Sequence, residues 1–196
     1  DLGSHKTRVF VQGQGLTFSE PTLVVTENRS NTEVMVSFGN EARQFEGRTP
    51  PNMTVHRPVK NSVISNMSLT EGYLKYALHK SGSSGTILKP KILLNVPQGI
   101  SSAAKKHLLD TLYTVGNRES VYVDTLLCAG LGASLPINEP TGSLLLHMGH
   151  GTTQVGVLTL SGLAASGTIN VAGAQLNQAL IEFLKTEKKV AVSALT

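Results

Sequence analysis

Tryptophan is absent from this chain of 196 residues, cysteine occurs once, at Cys128, and aromatic residues make up 5% of the sequence. A single cysteine excludes a disulfide framework within the chain and is typical of a protein kept in a reducing compartment. So few aromatic rings disfavour a base-stacking surface, and the sequence contains no nucleic-acid-binding motif. We therefore expect a cytoplasmic protein without a nucleic-acid partner.

Long apolar runs are also lacking. No run approaches the roughly 20 residues that a membrane-spanning helix requires, and we expect no signal peptide. Hydrophobic residues still make up 40% of the sequence, which predicts a folded globular protein. The net charge of +4 is compatible with an acidic membrane face but does not require one. Because the chain begins at Asp1 within an apparent strand–turn unit, we expect it to be a piece of a longer protein.

Strand and helix patterns alternate along the chain, which predicts an α/β protein. Strand-like runs lie at residues 8–11, 16–26, 91–96, 121–124 and 164–170, and on both sides of a glycine-rich turn within residues 144–158. Helical patterns lie at residues 101–115, 126–134 and 174–185, and Gly116 is expected to end the first of these. A further helix is predicted to begin at the capping box Ser68-Leu69-Thr70-Glu71.

Two glycine-rich turns carry the main functional signal. They are Gly3-Ser4-His5-Lys6-Thr7 and Gly149-His150-Gly151-Thr152-Thr153, and each lies beside strand-like residues. Such a backbone can close around phosphate oxygens, although a plain hairpin turn has the same composition. Two of these units far apart in one chain predict a duplicated domain that holds a nucleotide between its halves. The expected phosphate contacts are Gly3, Ser4, Thr7, Gly149, Gly151, Thr152 and Thr153.

Short motifs in a fixed order extend from the first residue to about Ala191. They are Asp1-Leu2-Gly3, Ser19-Glu20-Pro21, Gly47-Arg48-Thr49-Pro50, Arg57-Pro58, Val96-Pro97, Glu139-Pro140-Thr141-Gly142, Gly151-Thr152-Thr153 and Val171-Ala172-Gly173. With this ordered set the chain resembles bacterial actin homologues of the MreB type, within the actin and Hsp70 ATPase fold.

The resemblance implies an actin-like (ribonuclease H-like) ATPase fold, with mixed sheets and flanking helices. Residues 1–32 and 60–142 would form the first large subdomain, residues 33–59 a small insert, and residues 143–196 the start of a second large subdomain. It also implies ATP in the cleft and self-association into filaments beneath the bacterial membrane. Asp1 would be the one expected family acid retained at the cleft; the alternative is a strand-end carboxylate without a role there.

Several carboxylates expected from the family are missing. His147 stands at the aspartate of the second turn, His150 at its middle glycine, and Thr125 at the acid that orients the hydrolytic water. Other expected acids are replaced by Asn61, Asn66, Gln154, Ala174, Gln175, Asn177 and Gln178. Magnesium prefers carboxylate oxygens, so we expect no metal site and weak or lost ATP hydrolysis. Without a nearby cysteine or acid, the histidines at 147 and 150 do not predict a zinc site either.

These observations favour a filament-forming or filament-associated cytoskeletal protein that is involved in cell shape. One alternative is an active polymerising ATPase in which His147 and nearby waters hold magnesium. The other is a pseudo-ATPase that does not polymerise and serves as an interaction module in a larger complex. Sequence reasoning leaves all three open.

The segment from Thr86 to Lys91 predicts a second partner. It places Ile87 and Leu88 beside lysines after a linker rich in serine and glycine. Apolar residues with cationic neighbours suit shallow insertion into an anionic leaflet, and the corresponding loop inserts into membranes in some members of the family it resembles. The expected partner is the inner face of the cell membrane. In the alternative interpretation, both residues begin the following strand and pack inward.

Overall fold

The computed structural model of the protein describes residues 1–30, 32–83 and 89–192. Its strands are β1 Lys6–Val11, β2 Gly15–Pro21, β3 Val24–Arg29, β4 Thr32–Phe38, β5 Met53–His56, β6 Val59–Lys60, β7 Val63–Ile64, β8 Lys91–Val96, β9 Glu119–Asp124, β10 Ser143–Met148, β11 Thr153–Thr159 and β12 Gly162–Ile169. Its helices are α1 Gly39–Arg43, α2 Met67–Lys80, α3 Ser102–Thr114, α4 Thr125–Gly132 and α5 Gly173–Glu187. The predicted α/β class is confirmed.

The strands form separate small sheets. β1 and β2 pair antiparallel, and β3 is the central strand of an antiparallel sheet in the order β4-β3-β5. β8 and β9 are parallel, whereas β10, β11 and β12 form an antiparallel meander and β6 and β7 a short hairpin. Parallel and antiparallel pairs therefore occur in the same chain, but each described sheet contains only one kind.

The predicted single strand at residues 16–26 is wrong. It consists of β2 and β3, which lie in different sheets. Between them the Thr22 N–H donates to the His5 carbonyl at 2.9 Å, and Leu23 is buried. The residues where β2 ends and β3 begins are buried. The apolar pattern of the sequence therefore continues from one strand into the next and does not show the boundary between them.

The predicted capping box at Ser68 is also wrong. α2 begins at Met67, and the side chain of Asn66 accepts the Leu69 N–H at 3.0 Å. Asparagine is as good a helix N-cap as serine, and here its extended backbone places it there. Leu74 and Leu78 lie four residues apart on the apolar face of α2, and both are buried.

β8, α3 and β9 form a βαβ unit that positions the cleft. Ser101 caps α3 by accepting the Ala104 N–H at 3.2 Å, and Gly116 follows its end with a φ of +93°, as predicted. Because β8 and β9 are parallel, their carboxyl ends at Val96 and Asp124 lie at the same edge. Residues that follow parallel strands at such an edge are well placed to line a ligand site.

The main core lies around α2 and α3. Its buried members are Leu2, Phe18, Val24, Val59, Leu69, Tyr73, Leu74, Ala77, Leu94, Val96, Leu108 and Leu112. A smaller cluster of Leu23, Val25 and Ala42 joins β3 to α1. The predicted insert at residues 33–59 contains β4, α1 and β5, while β3 of the same sheet precedes it. The division into subdomains remains a prediction.

No described helix has the combination of length and apolar character that crossing a bilayer requires. Ile87 and Leu88, the predicted membrane contacts, lie outside the described residues.

Candidate nucleotide-binding cleft

The two glycine-rich turns meet at one cavity with a volume of about 350 Å³. Residues from the first turn, the end of β8, the start of α4 and the second turn all line it. Its lining includes Asp1, Gly3, Ser4, His5, Lys6, Arg8, Ser62, Asn95, Thr125, His147, Gly149, His150, Gly151, Thr152 and Gln154. The fold therefore joins segments that are almost 150 residues apart in sequence.

The first turn is tightly closed. A Cβ atom at Gly3 would lie 2.6 Å from the Lys6 carbonyl oxygen, so a larger residue does not fit there. The Thr22 hydroxyl donates to the Gly3 carbonyl at 2.7 Å and lies 2.8 Å from the Thr7 hydroxyl. Thr7 is buried in this contact and does not line the cavity. Its predicted phosphate contact is therefore not supported, because its hydroxyl holds the turn in place instead.

The second turn approaches the first through Gly151. A Cβ atom there would lie 2.9 Å from both the Ser4 Oγ and the Asn61 Oδ1. Within the turn the Gly149 N–H donates to the Thr152 carbonyl at 2.9 Å. This contact between the turns therefore depends on a residue without a side chain.

Thr153 lies one residue beyond the cavity. It is buried, its hydroxyl donates to the Val171 carbonyl at 2.6 Å, and it is not part of the cavity lining. Like Thr7 it supports a turn, and its predicted phosphate contact is not supported.

Several backbone donors at the cavity are free. Among the residues described, the N–H groups of Ser4, His5, His150 and Gly151 have no hydrogen-bond acceptor. Successive N–H groups in a turn make a concave site that favours an anion. The two turns together therefore offer a set of donors suited to phosphate oxygens.

The charged groups of the cavity favour an anion over a cation. Asp1 is the one carboxylate among the described residues that line it, and it pairs with Arg8 at 3.0 Å, while Lys6 adds a further positive charge. Across residues 1–30, 32–83 and 89–192, no group of three or more His, Cys, Asp or Glu side chains is arranged to hold a metal ion. Magnesium requires hard anionic oxygens, so the residues present do not fit it.

One histidine from each turn meets the other across the cavity. The ring centroids of His5 and His150 are 4.8 Å apart, with 41° between the ring planes. Burial lowers the pKa of His5, and the nearby cation of Arg57 lowers it further. Burial, followed by His5 and then Arg57, lowers the pKa of His150. Both rings therefore carry less positive charge at pH 7 than free histidines do.

His147, which stands at the expected aspartate, lines the cavity as well. Its Nδ1 atom is buried and has no hydrogen-bond partner within the described part of the chain. A buried polar nitrogen without a partner lowers stability unless a ligand or water satisfies it. This position therefore places an imidazole beside the cavity, without the negative charge of a carboxylate.

The position of the expected catalytic acid is also neutral. Thr125 is the first residue of α4, and its hydroxyl accepts a hydrogen bond from the Asn95 amide at 3.4 Å. The adjacent Asp124 carboxylate does not line the cavity, because it caps α4 by accepting the Leu126 and Leu127 N–H groups at 2.8 and 3.4 Å. Neither side chain is a free carboxylate beside the cavity.

The family model described as MreB/Mbl protein matches residues 1–196. This chain belongs to the MreB/Mbl family. It is 31% identical over 188 residues to the cell shape-determining protein MreB of Escherichia coli K12, covering 94% of this chain and 54% of the relative. It is 30% identical over 196 residues to the cell shape-determining protein Mbl of Bacillus subtilis, covering 100% of this chain and 58% of the relative. The chain thus spans about half the length of these relatives.

Solved structures of MreB-type and related proteins share the fold. MreB5 of Spiroplasma citri bound to AMPPNP superposes with a TM-score of 0.91 at 24% identity, covering 100% of this chain and 58% of that chain. The same protein bound to ADP matches equally well. A MamK double helical filament matches with a TM-score of 0.79 at 20% identity, covering 99% and 60%. The predicted family and actin-like fold are confirmed.

In this MreB/Mbl-family chain, most of the residues predicted to contact a nucleotide lie close together. Asp1, Gly3, Ser4, Gly149, Gly151 and Thr152 all line the cavity. Their roles toward a nucleotide stay predictions. Sequence reasoning missed Lys6, Ser62 and Asn95 as lining residues. Asn95 lies near the carboxyl end of a parallel strand, which was a usable signal, whereas nothing in the sequence places Ser62 beside Ser4.

Proposed function

We propose that this protein is an MreB-type cytoskeletal subunit that forms or joins filaments at the inner face of the cell membrane and contributes to cell shape. Family membership supports the proposal, because the E. coli and B. subtilis relatives are named as cell shape-determining proteins. A structural neighbour is a double helical filament. Filaments require a head-to-tail contact whose rotation does not close a ring.

The proposed ligand of the cleft is an adenine nucleotide. The main support for this ligand is that the two glycine-rich turns meet at one cavity of about 350 Å³. The backbone N–H groups without acceptors supply donors for phosphate oxygens. The S. citri neighbour that shares the fold was crystallised with AMPPNP and with ADP.

Hydrolysis of the bound nucleotide is proposed to be weak or lost. Phosphoryl transfer depends on positioning the attacking water and on neutralising the phosphate charge, commonly with magnesium. Thr125 cannot accept a proton from water as a carboxylate does. Asp124 is occupied in capping α4, and Asp1 is paired with Arg8. Among the described residues, the cleft therefore offers donors suited to phosphate but no free carboxylate to activate water.

The test of hydrolysis measures phosphate release from ATP by the purified protein with magnesium present. We expect a rate near the no-protein background. A Thr125→Glu, His147→Asp double variant puts carboxylates back at both positions, and a gain in rate would support the assignment. Robust turnover by the unchanged protein would instead establish an active ATPase.

Assembly is tested by sedimentation and electron microscopy, with and without ATP. We expect filaments or co-sedimentation with filaments of a related protein. Monomers under every condition would reject polymerisation and favour the alternative of an interaction module in a larger complex.

Contact with the membrane is proposed to involve Ile87 and Leu88. The support is their sequence context, with two large apolar residues beside Lys89 and Lys91. Replacing both with serine should abolish co-sedimentation with liposomes that contain anionic lipid. A matched Val121→Ser, Leu93→Ser variant removes exposed apolar residues elsewhere and should leave binding unchanged. Unaltered binding by the Ile87→Ser, Leu88→Ser variant would remove this part of the proposal.

A further inference from the structure

We propose that the cleft binds the polyphosphate of its nucleotide without magnesium, with His5 and His150 in their protonated form supplying the positive charge that a metal ion would otherwise supply. The inference rests on the proposed nucleotide site and names how that site is regulated. It makes binding independent of magnesium and dependent on pH.

The first support is the mismatch between the cleft and a divalent cation. The one carboxylate that lines the cavity, Asp1, is already neutralised by Arg8 at 3.0 Å. A magnesium ion that followed the phosphates into the cavity would meet Lys6 and three imidazoles in place of carboxylate oxygens. Imidazole is a poor magnesium ligand, whereas an ammonium group repels the ion. The polyphosphate charge must therefore be balanced by the protein itself.

The second support is the geometry of the histidine pair. His5 belongs to the first turn and His150 to the second, and both line the cavity. Their ring centroids lie 4.8 Å apart. Two imidazolium rings at this separation repel each other, so the pair stays neutral while the cavity holds no anion. An anion between the turns reverses this, because each protonated ring then faces a negative charge and can donate a hydrogen bond to it.

The surroundings of the pair are mostly cationic. Arg57, Arg43 and Lys6 act on His5, and Arg57 also acts on His150. The opposing group is Glu46, which acts on His5 but is itself bonded to Arg57 at 2.6 Å. Other charged or titratable groups of the cavity are the Asp1–Arg8 pair and His147.

Arg57, one of these cations, has a buried donor atom. The Nη1 atom of Arg57 is buried and has no acceptor among the residues that the structure describes. Its other terminal nitrogen is the one that bonds Glu46. Arg57 does not line the cavity, so its positive charge acts on the histidine pair from outside the site.

The coupling between proton uptake and nucleotide binding determines whether affinity rises or falls with pH. Burial lowers the pKa of both imidazoles in the free protein, which favours their neutral forms. A bound anion raises the pKa of each, because it stabilises the charged form. Binding therefore takes up protons, and affinity rises as the pH falls from 8 toward 6.

The experiment titrates the purified protein with ATP by calorimetry at pH 8.0 and 6.0, in EDTA and in excess magnesium. We expect equal or tighter binding in EDTA, and an affinity at least about tenfold higher at pH 6.0, since one pKa unit corresponds to a tenfold change. A terminal phosphate also gains a proton near pH 6, so a variant is needed as the reference. A double variant, His5→Gln with His150→Gly, removes both imidazoles and should reduce the pH dependence to that of ATP alone.

The control variant is His107→Gln, which changes an exposed histidine on α3 that does not line the cavity. It should bind as the unchanged protein does at both pH values. The unchanged protein is decisive even if a variant fails to fold. Binding that requires magnesium, or that is as tight at pH 8.0 as at 6.0, would overturn this inference and leave the nucleotide site standing. Absence of binding in all four conditions would overturn both, and the filament assay would then test assembly separately.

Discussion

Helices α2 and α5 have similar lengths and similar amphipathic patterns but different surroundings. α2 has 14 residues and buries one whole face against the main core, including Tyr73 and Leu74. α5 has 15 residues and buries none of them. Leu176, Leu180 and Phe183 of α5 are 50–57% exposed. The comparison shows that periodicity specifies a helix, whereas neighbouring elements decide whether its apolar face contributes to stability.

Residues 1–142 and residues 143–192 differ in the same way, in how far their apolar side chains are buried. The C-terminal sheet packs through one side, where Leu158 is buried and lies so close to Gly130 of α4 that a Cβ there would be 2.5 Å from its Cδ1. On β10, Leu144 and Leu146 are exposed. The C-terminal residues are therefore held mainly by α4 and by the contact between the two turns.

The largest expected effect is at Tyr73, the central buried residue of α2. Its side chain is fully buried and its hydroxyl donates to the Pro21 carbonyl at 2.9 Å. Tyr73→Ala leaves a cavity and removes this hydrogen bond, so it should lower the free energy of unfolding by about 3–5 kcal/mol. Urea denaturation followed by circular dichroism measures it. Tyr113→Ala, at an exposed tyrosine of α3, should cost less than about 0.5 kcal/mol. Equal losses at both positions would contradict the assigned core.

A smaller effect is expected from acid at the histidine pair that joins the two regions. The folded protein holds the pKa of His5 and His150 below the unfolded value of about 6.5. The unfolded state therefore binds more protons as the pH falls below that value, and stability is lost. The melting temperature should fall between pH 7.5 and 5.5 in a buffer without phosphate.

His5→Gln or His150→Gln should reduce that fall, and His107→Gln should not. A melting temperature that is constant from pH 7.5 to 5.5 would contradict the environment assigned to the pair.

Glu20 affects stability over a different pH range. Burial raises its pKa, but hydrogen bonds from Lys80, the Asn40 N–H and Tyr76 together lower it below the usual value. Its stabilising effect is therefore lost only when the pH falls below about 4.5.

The smallest effect is expected on the exposed face of α5. Leu180→Ala should change the free energy of unfolding by less than about 0.5 kcal/mol, because the side chain is already in contact with water and alanine favours a helix. The same urea titration measures it. A loss above about 2 kcal/mol would show that another surface covers this face in solution, and the contrast with α2 would then disappear.

Local patterns predicted the elements best where one signal dominated. The helix predicted at residues 101–115 agrees with α3 to within one residue at each end, because a cap at Ser101 and the left-handed Gly116 act within a few residues. Prediction failed at residues 16–26, where the chain passes from one sheet to another, since apolar periodicity does not say which sheet a strand joins. It failed at the start of α2 because Asn66 and Ser68 compete as caps.

For the cleft, the sequence pattern placed the glycines correctly, but two of the four predicted hydroxyl residues, Thr7 and Thr153, do not line the cavity. Gly3 and Gly151 stand where any side chain would collide with the opposing backbone or turn. Thr7 and Thr153 match the phosphate-binding pattern equally well, yet both hydroxyls are bonded inside the protein. Whether a hydroxyl faces a ligand depends on partners that are distant in sequence.

The order of motifs and the loss of acidic residues were fixed by the sequence itself, because residue type alone decides whether a side chain carries negative charge. The tertiary structure decided that the two turns share one cavity, that Asp1 is paired and Asp124 is a helix cap, and that His5 meets His150. These depend on distances between segments far apart in the chain, and such distances are set by the packing of the whole fold.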